Sequence, residues 1–255
     1  MAPLAKLLGA CLMIFLSSTL IQNSEASNGG IATYWGQYTE EAEGSLAEVC
    51  NTMLYSYISV AFLNRFGSGQ DLGFNISGHC SCESDCSSCI RFGEDIKTCQ
   101  SKDFHIENGS PLCYDYLARA LKKYGKDHNK MVYLSAAPRC LYPDLYLGRA
   151  IYTGLFDFVW VHFFNTSSAC QYDSTTGDDV LMISWNAWTT LIEAAGKLFL
   201  GVPASDDVFG YIPPDAMNDK ILPEINRTSK YGGVMVWNRY YDVITNFSPS
   251  IINQV

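Results

Sequence analysis

The sequence predicts an α/β protein, a parallel (β/α) barrel of the TIM type formed by a single domain. Short apolar segments typical of buried strands alternate along the chain with segments of helical periodicity. This alternation indicates β-α-β units and a parallel sheet, and so many units in one domain indicate a barrel. The chain has 255 residues, 48% of them hydrophobic and 17% charged, which suits one globular domain with a substantial core. A barrel of eight strands typically needs about 250 residues.

The N-terminal 26 residues have the features of a secretory signal peptide. Lys6 precedes an apolar run over residues 7–20, and Ser24-Glu25-Ala26 is a small-x-small cleavage site. The run is too short to span a bilayer comfortably, so we expect cleavage and a mature domain over residues 27–255. Ten cysteines and five Asn-x-Ser/Thr acceptor sites agree with an oxidising, secretory route.

The elements follow one another in a regular order. The predicted strands lie at residues 30–37, 54–63, 103–107, 131–137, 156–165, 198–202 and 233–237. The predicted helices lie at residues 45–53, 112–124, 180–195, 214–225 and 242–252, and residues 67–77 are predicted as a loop. Pro203 and Pro138 each end a strand, and Pro214 stands at a helix start, where its missing N–H costs least.

The third predicted strand carries the most chemistry. Asp103, His105 and Glu107 alternate with Phe104 and Ile106, so the three polar side chains share one face of the strand. An Asn-Gly-Ser-Pro turn follows, which places Glu107 at the carboxyl end of the strand, where barrels hold their catalytic groups. The pattern permits acid–base catalysis, but these five residues taken alone favour an edge strand with a solvated polar face.

The strand count is one short of a closed barrel. Seven strands are predicted, and the segment ending at Cys99 is separated from Asp103 by only three residues. A crossover between parallel strands needs about a dozen residues or more. The missing strand and its helix therefore belong at this point of the chain.

Several motifs together resemble the plant class III chitinases of glycoside hydrolase family 18, the hevamine type. The matching segments, in chain order, are Tyr34-Trp35-Gly36-Gln37, Ala61-Phe62-Leu63-Asn64, Gly78-His79-Cys80, Asp103 to Glu107, Ala136-Ala137-Pro138, residues 154–161, Ser184-Trp185-Asn186 and residues 230–235. The resemblance covers nearly all of the mature chain. It implies a secreted protein, extracellular or vacuolar, that acts on β-1,4-linked N-acetylglucosamine polymers such as chitin.

The family mechanism is substrate-assisted and retaining, an exception to the use of two carboxylates. By resemblance, Glu107 is the acid that protonates the leaving oxygen, and Asp103 belongs to the same strand motif. His105 replaces the aspartate that orients the acetamido group, and a neutral imidazole has no charge to stabilise the cationic intermediate. Loss of one preorganised contact of this kind costs about 10²–10³ in rate.

The substrate-binding positions are also implied by the resemblance. Trp237 matches the tryptophan that floors the subsite, and Phe164 replaces a tyrosine that donates to the acetamido oxygen. His162 replaces a glutamine. Gln37 and Ala136 lie in matching motifs and are assigned to substrate binding. The resemblance thus supports an endochitinase, with a catalytically impaired relative that binds chitin oligosaccharides or inhibits another hydrolase as the alternative.

The gap before Asp103 is a departure from the family, which carries its third strand and a helix there. We hypothesise that one βα unit was removed by exon skipping or a faulty gene prediction. Comparison of genomic and transcript sequences around the codons for Lys102 and Asp103 tests this; continuous coding sequence there would refute it. Translated as written, the chain is expected to form an open or strained barrel with exposed sheet edges and to be secreted poorly.

The cysteines between residues 80 and 89 could suggest zinc, but disulfides are favoured in a secreted chain without a suitably spaced histidine pair. By resemblance, the pairs are Cys50–Cys99, Cys80–Cys89 and Cys140–Cys170, with Cys82–Cys86 as a further loop and Cys113 left unpaired. We expect no metal and no cofactor. The net charge of −9 argues against nucleic acid or an anionic membrane as partner. The expected partner is a chitin oligosaccharide, bound by a monomer.

Overall fold

The structure is a computed structural model that describes residues 29–61, 63–65, 73–82, 89, 92, 95–96, 99, 104–106, 114–129, 131–192 and 196–255. The predicted signal peptide, Asp103 and Glu107 lie outside the described residues. Of His105 the structure describes the backbone within a strand.

The described strands follow the predicted order. They are β1 (Gly30–Trp35), β2 (Tyr57–Val60), β3 (Leu63–Arg65), β4 (Gly73–Ile76), β5 (Cys80–Cys82), β6 (Phe104–Ile106), β7 (Leu134–Ala136), β8 (Phe158–His162), β9 (Lys197–Pro203) and β10 (Tyr231–Trp237). The helices are α1 (Glu40–Glu43), α2 (Leu46–Asn51), α3 (Tyr114–Asp127), α4 (Gly148–Ile151), α5 (Asp179–Leu191), α6 (Pro214–Ala216), α7 (Leu222–Ile225), α8 (Arg239–Thr245) and α9 (Phe247–Ile251). A π-helical turn, Met217–Ile221, joins α6 to α7.

Seven strands form one parallel sheet in the order β2-β1-β10-β9-β8-β7-β6. Each neighbouring pair is parallel, and the first and last strands along the chain, β1 and β10, pair with each other as barrel closure requires. Within the described residues, β2 and β6 pair on one side only. The seven predicted barrel strands are therefore confirmed, and the described residues form an incomplete TIM-type barrel in which β2 and β6 do not pair with each other.

The two faces of the sheet bury different apolar clusters. Tyr34, Trp160, Phe199 and Met235 point into the barrel and pack together, each at most 1% exposed. Side chains of opposite parity, such as those of Ile31, Trp35 and Val161, pack in a second cluster that includes residues of the surrounding helices. This alternation follows from the two-residue period of a strand.

The expected loop over residues 67–77 is wrong in part. Gly73–Ile76 is strand β4, the centre of a small antiparallel sheet ordered β3-β4-β5. The predicted strand over residues 54–63 is also shorter than expected, because only Tyr57–Val60 belongs to the barrel and Leu63 begins β3. The turn signals in residues 67–77 indicated a loop, whereas pairing with β5 makes Gly73–Ile76 a strand.

The helices match the prediction except at the C-terminus and in two short additions, α1 and α4. The helix predicted over residues 242–252 is divided into α8 and α9 at Asn246, whose left-handed backbone has φ 56°. Helix α2 begins at Ser45, whose side chain accepts from the Glu48 N–H while Glu48 accepts from the Ser45 N–H. Among the described residues, no helix is long and apolar enough to cross a membrane.

Candidate functional site

An aromatic surface lies at the carboxyl ends of β8 and β10. The rings of His162 and Phe164 stack with centroids 4.8 Å apart and planes 29° apart. Phe164 in turn faces Trp237 at 5.8 Å and 27°. Phe164 is buried, whereas Trp237 is half-buried. The structure thus brings together three of the substrate-binding residues expected from the sequence, and it presents apolar ring surface at the end of the barrel that we expected.

Phe164 is held in place by the loop after β9. The Asn165 N–H donates to the Phe209 carbonyl (2.9 Å), which fixes the backbone directly after Phe164. Gly210 has φ +97°, and a Cβ there would lie 2.7 Å from the carbonyl oxygen of Phe163. A glycine is therefore needed for this loop to pack against the strand end.

A hydroxyl group of β1 lies next to this surface inside the barrel. The Tyr34 hydroxyl is 3.4 Å from Nε2 of His162, and Tyr34 is only 1% exposed. Its ring meets Trp160 edge-on, with centroids 6.1 Å apart. Tyr34 and His162 therefore form a polar pair beside the aromatic surface. The sequence placed Tyr34 in a matching motif but gave it no role in the site.

Gln37 is positioned by Asn238, the residue that follows Trp237. The Asn238 side chain donates from Nδ2 to Oε1 of Gln37 (2.7 Å). Its Oδ1 accepts from the Tyr241 N–H (3.3 Å), so Asn238 is also the N-cap of α8. Asn238 is fully buried and follows Trp237 through a cis peptide bond. Asn238 is therefore linked to Trp237 by the main chain and to Gln37 by its side-chain amide.

The turn after β1 is held by a buried carboxylate, Glu43. Its Oε1 accepts from the backbone N–H of Gly36 (2.8 Å) and of Tyr38 (3.1 Å), the two neighbours of Gln37. The same oxygen lies 3.0 Å from Nε2 of His79, and both side chains are fully buried. Glu43 thus fixes the backbone on either side of Gln37. The sequence did not indicate this role for Glu43, because the two N–H groups are reached only in the folded turn.

Ala136 lies on β7, next to the end strand β6. It is the last residue of β7, is 1% exposed, and pairs with Ile106 of β6. His105 pairs with Ser135 in the same register. The expected acid, Glu107, directly follows Ile106 in sequence, and the roles of Glu107, Asp103 and His105 remain predictions.

The three disulfides implied by the resemblance are present: Cys50–Cys99, Cys80–Cys89 and Cys140–Cys170. The pairing of Cys82 with Cys86 and the state of Cys113 lie outside the described residues. Within the described part of the chain, no group of three His, Cys, Asp or Glu side chains is arranged to hold a metal ion. Disulfide bonding accounts for six of the cysteines in the sequence.

Comparison with known proteins gives one consistent group of relatives. The chain is 44% identical to an endochitinase of Ziziphus mauritiana, over 99% of this chain and 93% of that protein. That alignment extends over 318 residues, more than the 255 of this chain, so the relative carries residues without a counterpart here. No family model matches the chain.

Solved structures with the same architecture have diverse names. A chitinase-like lectin from tamarind is 28% identical and superposes with a TM-score of 0.76, covering 88% of this chain and 99% of that one. A xylanase and α-amylase inhibitor protein from Scadoxus multiflorus is 31% identical with a TM-score of 0.78, covering 89% and 99% respectively.

Proposed function

The chain belongs to the plant acidic endochitinases, class III of glycoside hydrolase family 18, and on this premise we propose that it binds β-1,4-linked N-acetylglucosamine oligosaccharides while hydrolysing them slowly or not at all. The binding site is the carboxyl end of the barrel, where Trp237, Phe164 and His162 form a continuous ring surface. Aromatic faces combined with a few fixed polar groups are typical of such ligand sites. Gln37, which is half-buried, supplies such a polar group.

The observation that carries the proposal is the position of Phe164. Its ring fills the space between His162 and Trp237, at the strand end where the family has a tyrosine, and it has no hydroxyl to donate to the acetamido oxygen. A sugar still gains contact with the half-buried rings of Trp237 and His162, so binding is retained. The transition state loses a directed hydrogen bond, which costs about 10²–10³ in rate.

Endochitinase activity is the second candidate, and Glu107 favours it. In the family reaction this acid gives its proton to the glycosidic oxygen, and the substrate's acetamido oxygen attacks the anomeric carbon. A protein that only binds has no chemical need of such an acid. His105 opposes it, because a protonated imidazole two residues away favours the ionised form of Glu107, which cannot donate a proton.

We propose further that the chain lacks the third strand and the following helix of the family barrel. The opening between β2 and β6 and the greater length of the aligned relative support this. Secretion through the predicted signal peptide is also a proposal, and the three disulfides support it because such bonds persist in oxidising compartments. The Scadoxus protein is named as an inhibitor of other hydrolases. Such inhibition requires a surface that binds a partner protein, which is a different site from the one proposed here.

Two assays on the purified mature chain test the proposal. Calorimetry should detect binding of an N-acetylglucosamine tetramer, and Trp237→Ala should weaken it by about tenfold or more, because an aromatic contact of this size contributes roughly 1.5–3 kcal/mol. A fluorogenic trimer should be turned over slowly or not at all, and Glu107→Gln should abolish any activity seen. Rapid turnover that requires Glu107 would establish the endochitinase, and absence of both binding and turnover would refute both candidates.

A further inference from the structure

Three tyrosines extend the aromatic surface outward from Trp237. They form an outer tyrosine cluster of Tyr38, in the turn after β1, and Tyr240 and Tyr241, in the first turn of α8. Trp237 lies 5.6 Å from Tyr241, and Tyr241 lies 5.2 Å from Tyr240. Tyr38 and Tyr240 stack in parallel, with centroids 3.9 Å apart and planes 13° apart. The rings therefore continue without a break from Trp237 to the rim of the barrel.

Core packing does not account for the outer pair. Among the described residues, Tyr38 and Tyr240 belong to neither of the two buried apolar clusters, and both are half-buried at the surface. Two stacked rings gain about 0.5–1.5 kcal/mol beyond their buried area, which stabilises the pair but leaves part of its surface in water. A rigid, flat and partly exposed pair is suited to a ligand with flat faces.

The chemistry of the cluster fits a neutral, hydroxyl-rich ligand. The Tyr38 hydroxyl donates to that of Tyr241 (3.4 Å). Burial, followed by this hydrogen bond, raises the pKa of Tyr38 to about 12, so its hydroxyl remains uncharged near neutral pH. Tyrosine combines an apolar ring with a polar tip, which matches the apolar faces and polar edges of pyranose rings. Tyr38 adjoins Gln37, so the cluster is also continuous with the polar side of the candidate site.

We propose that the outer tyrosine cluster is a second saccharide-binding site, continuous with Trp237, that binds the distal sugars of an extended β-linked glycan. This inference rests on the proposed binding function and adds a dependence on ligand length. A short oligosaccharide occupies Trp237 alone. A long one also covers Tyr240 and Tyr38, and its affinity is higher for that reason.

Calorimetry with N-acetylglucosamine oligomers of two and six units tests the length dependence. Tyr240→Ala should weaken binding of the six-unit ligand by about fivefold to tenfold and change that of the two-unit ligand by less than about twofold, because only the longer ligand reaches the outer rings. Tyr240→Phe keeps the ring and should retain the affinity for both. Tyr116→Ala, at an exposed tyrosine of α3, is the matched surface control.

Tyr38→Ala removes the other half of the stack and should reproduce the length-selective loss, which keeps the test valid if Tyr240→Ala does not fold. Suppose that the wild-type chain binds both oligomers. If these variants then weaken binding of both lengths equally, or of neither, this inference is overturned and the proposed function stands. A wild-type chain that binds neither oligomer would overturn both.

Discussion

Phe164 provides a ring to the site but no hydroxyl group, and its neighbours on both sides are also rings. At the scale of single residues, this makes the proposed loss of turnover reversible. Phe164→Tyr adds an oxygen at the position where the family places its donor. We expect any trimer hydrolysis to rise by about tenfold or more, since one oriented donor contributes about 10²–10³ in a fully assembled site.

The control for this prediction is the double variant Phe164→Tyr with Glu107→Gln, which should show no gain because the acid is absent. His105→Asp combined with Phe164→Tyr should raise the rate further than either change alone. Initial rates on the fluorogenic trimer measure all three. If the tyrosine variant binds the oligomer as the wild type does but gains no hydrolysis, Phe164 is not what limits turnover.

At the scale of elements, the turn between β1 and α1 depends on Glu43. Glu43→Ala leaves the Gly36 and Tyr38 N–H groups without their acceptor, and the free energy of unfolding should fall by about 2–4 kcal/mol, given a cost of roughly 1–3 kcal/mol for each buried group. Urea denaturation measures it. Binding of the tetramer should weaken as well, because Gln37 lies between the two released groups.

Glu43→Gln is the matched variant, since its amide oxygen still accepts from both N–H groups. We expect most of the stability and affinity to be retained. A Glu43→Ala chain that is destabilised but binds the tetramer with unchanged affinity would show that the carboxylate supports the fold and does not position Gln37.

Helix α8, which carries Tyr240 and Tyr241 of the outer tyrosine cluster, is anchored by Tyr55. The Tyr55 hydroxyl donates to a carboxylate oxygen of Asp242 and accepts from Nη1 of Arg239 (2.8 Å), and Tyr55 is only 4% exposed. Tyr55→Phe leaves that Asp242 oxygen without this donor and should lower the free energy of unfolding by about 1–3 kcal/mol.

The difference in the free energy of unfolding between wild type and Tyr55→Phe depends on pH through the pKa of Tyr55. Burial raises this pKa above its ordinary value near 10. The folded state holds the proton more tightly than the unfolded state, so the contribution is complete below about pH 10 and is lost only at higher pH. Urea denaturation at pH 6 and pH 9 should give the same difference from wild type. A difference that shrinks by pH 9 would contradict the protonated hydroxyl, and Tyr116→Phe serves as the exposed control.

Sequence patterns predicted the barrel strands well because six are short apolar runs bounded by glycine, proline or polar residues, and the strand over residues 103–107 alternates polar with apolar residues. Strand β4 escaped prediction because Gly73 and the surrounding turn residues indicate a loop, and its conformation comes from pairing. In the site, resemblance identified Trp237 and Gln37. The hydrogen bond from the Asn238 side chain to Gln37 could not be inferred from the sequence. The two residues are 201 positions apart and meet only when β1 pairs with β10.

At the scale of the whole molecule, we expect the fold to be weakest at β2 and β6, the two end strands of the described sheet. β10 pairs with strands on both sides, whereas β2 and β6 each pair on one side within the described residues. The Cys50–Cys99 disulfide joins residues 49 apart in sequence and limits the unfolded ensemble, but it supplies no backbone hydrogen bonds to a strand edge. Stability should therefore be graded around the sheet, lowest at its two ends.

Hydrogen exchange measures this gradient directly. Amides of β2 that do not bond to β1 should exchange at least about tenfold faster than those of β10, because an unpaired edge opens without global unfolding. Insertion between Lys102 and Asp103 of the additional residues of the Ziziphus relative, which we propose form the missing βα unit, should pair both edges, slow exchange in β2 and raise the melting temperature. An inserted tract of equal length rich in glycine and serine is the control. Equal protection of β2 and β10 in the chain as it stands would mean that other residues already cover the edge, and the barrel would then be closed by a different route.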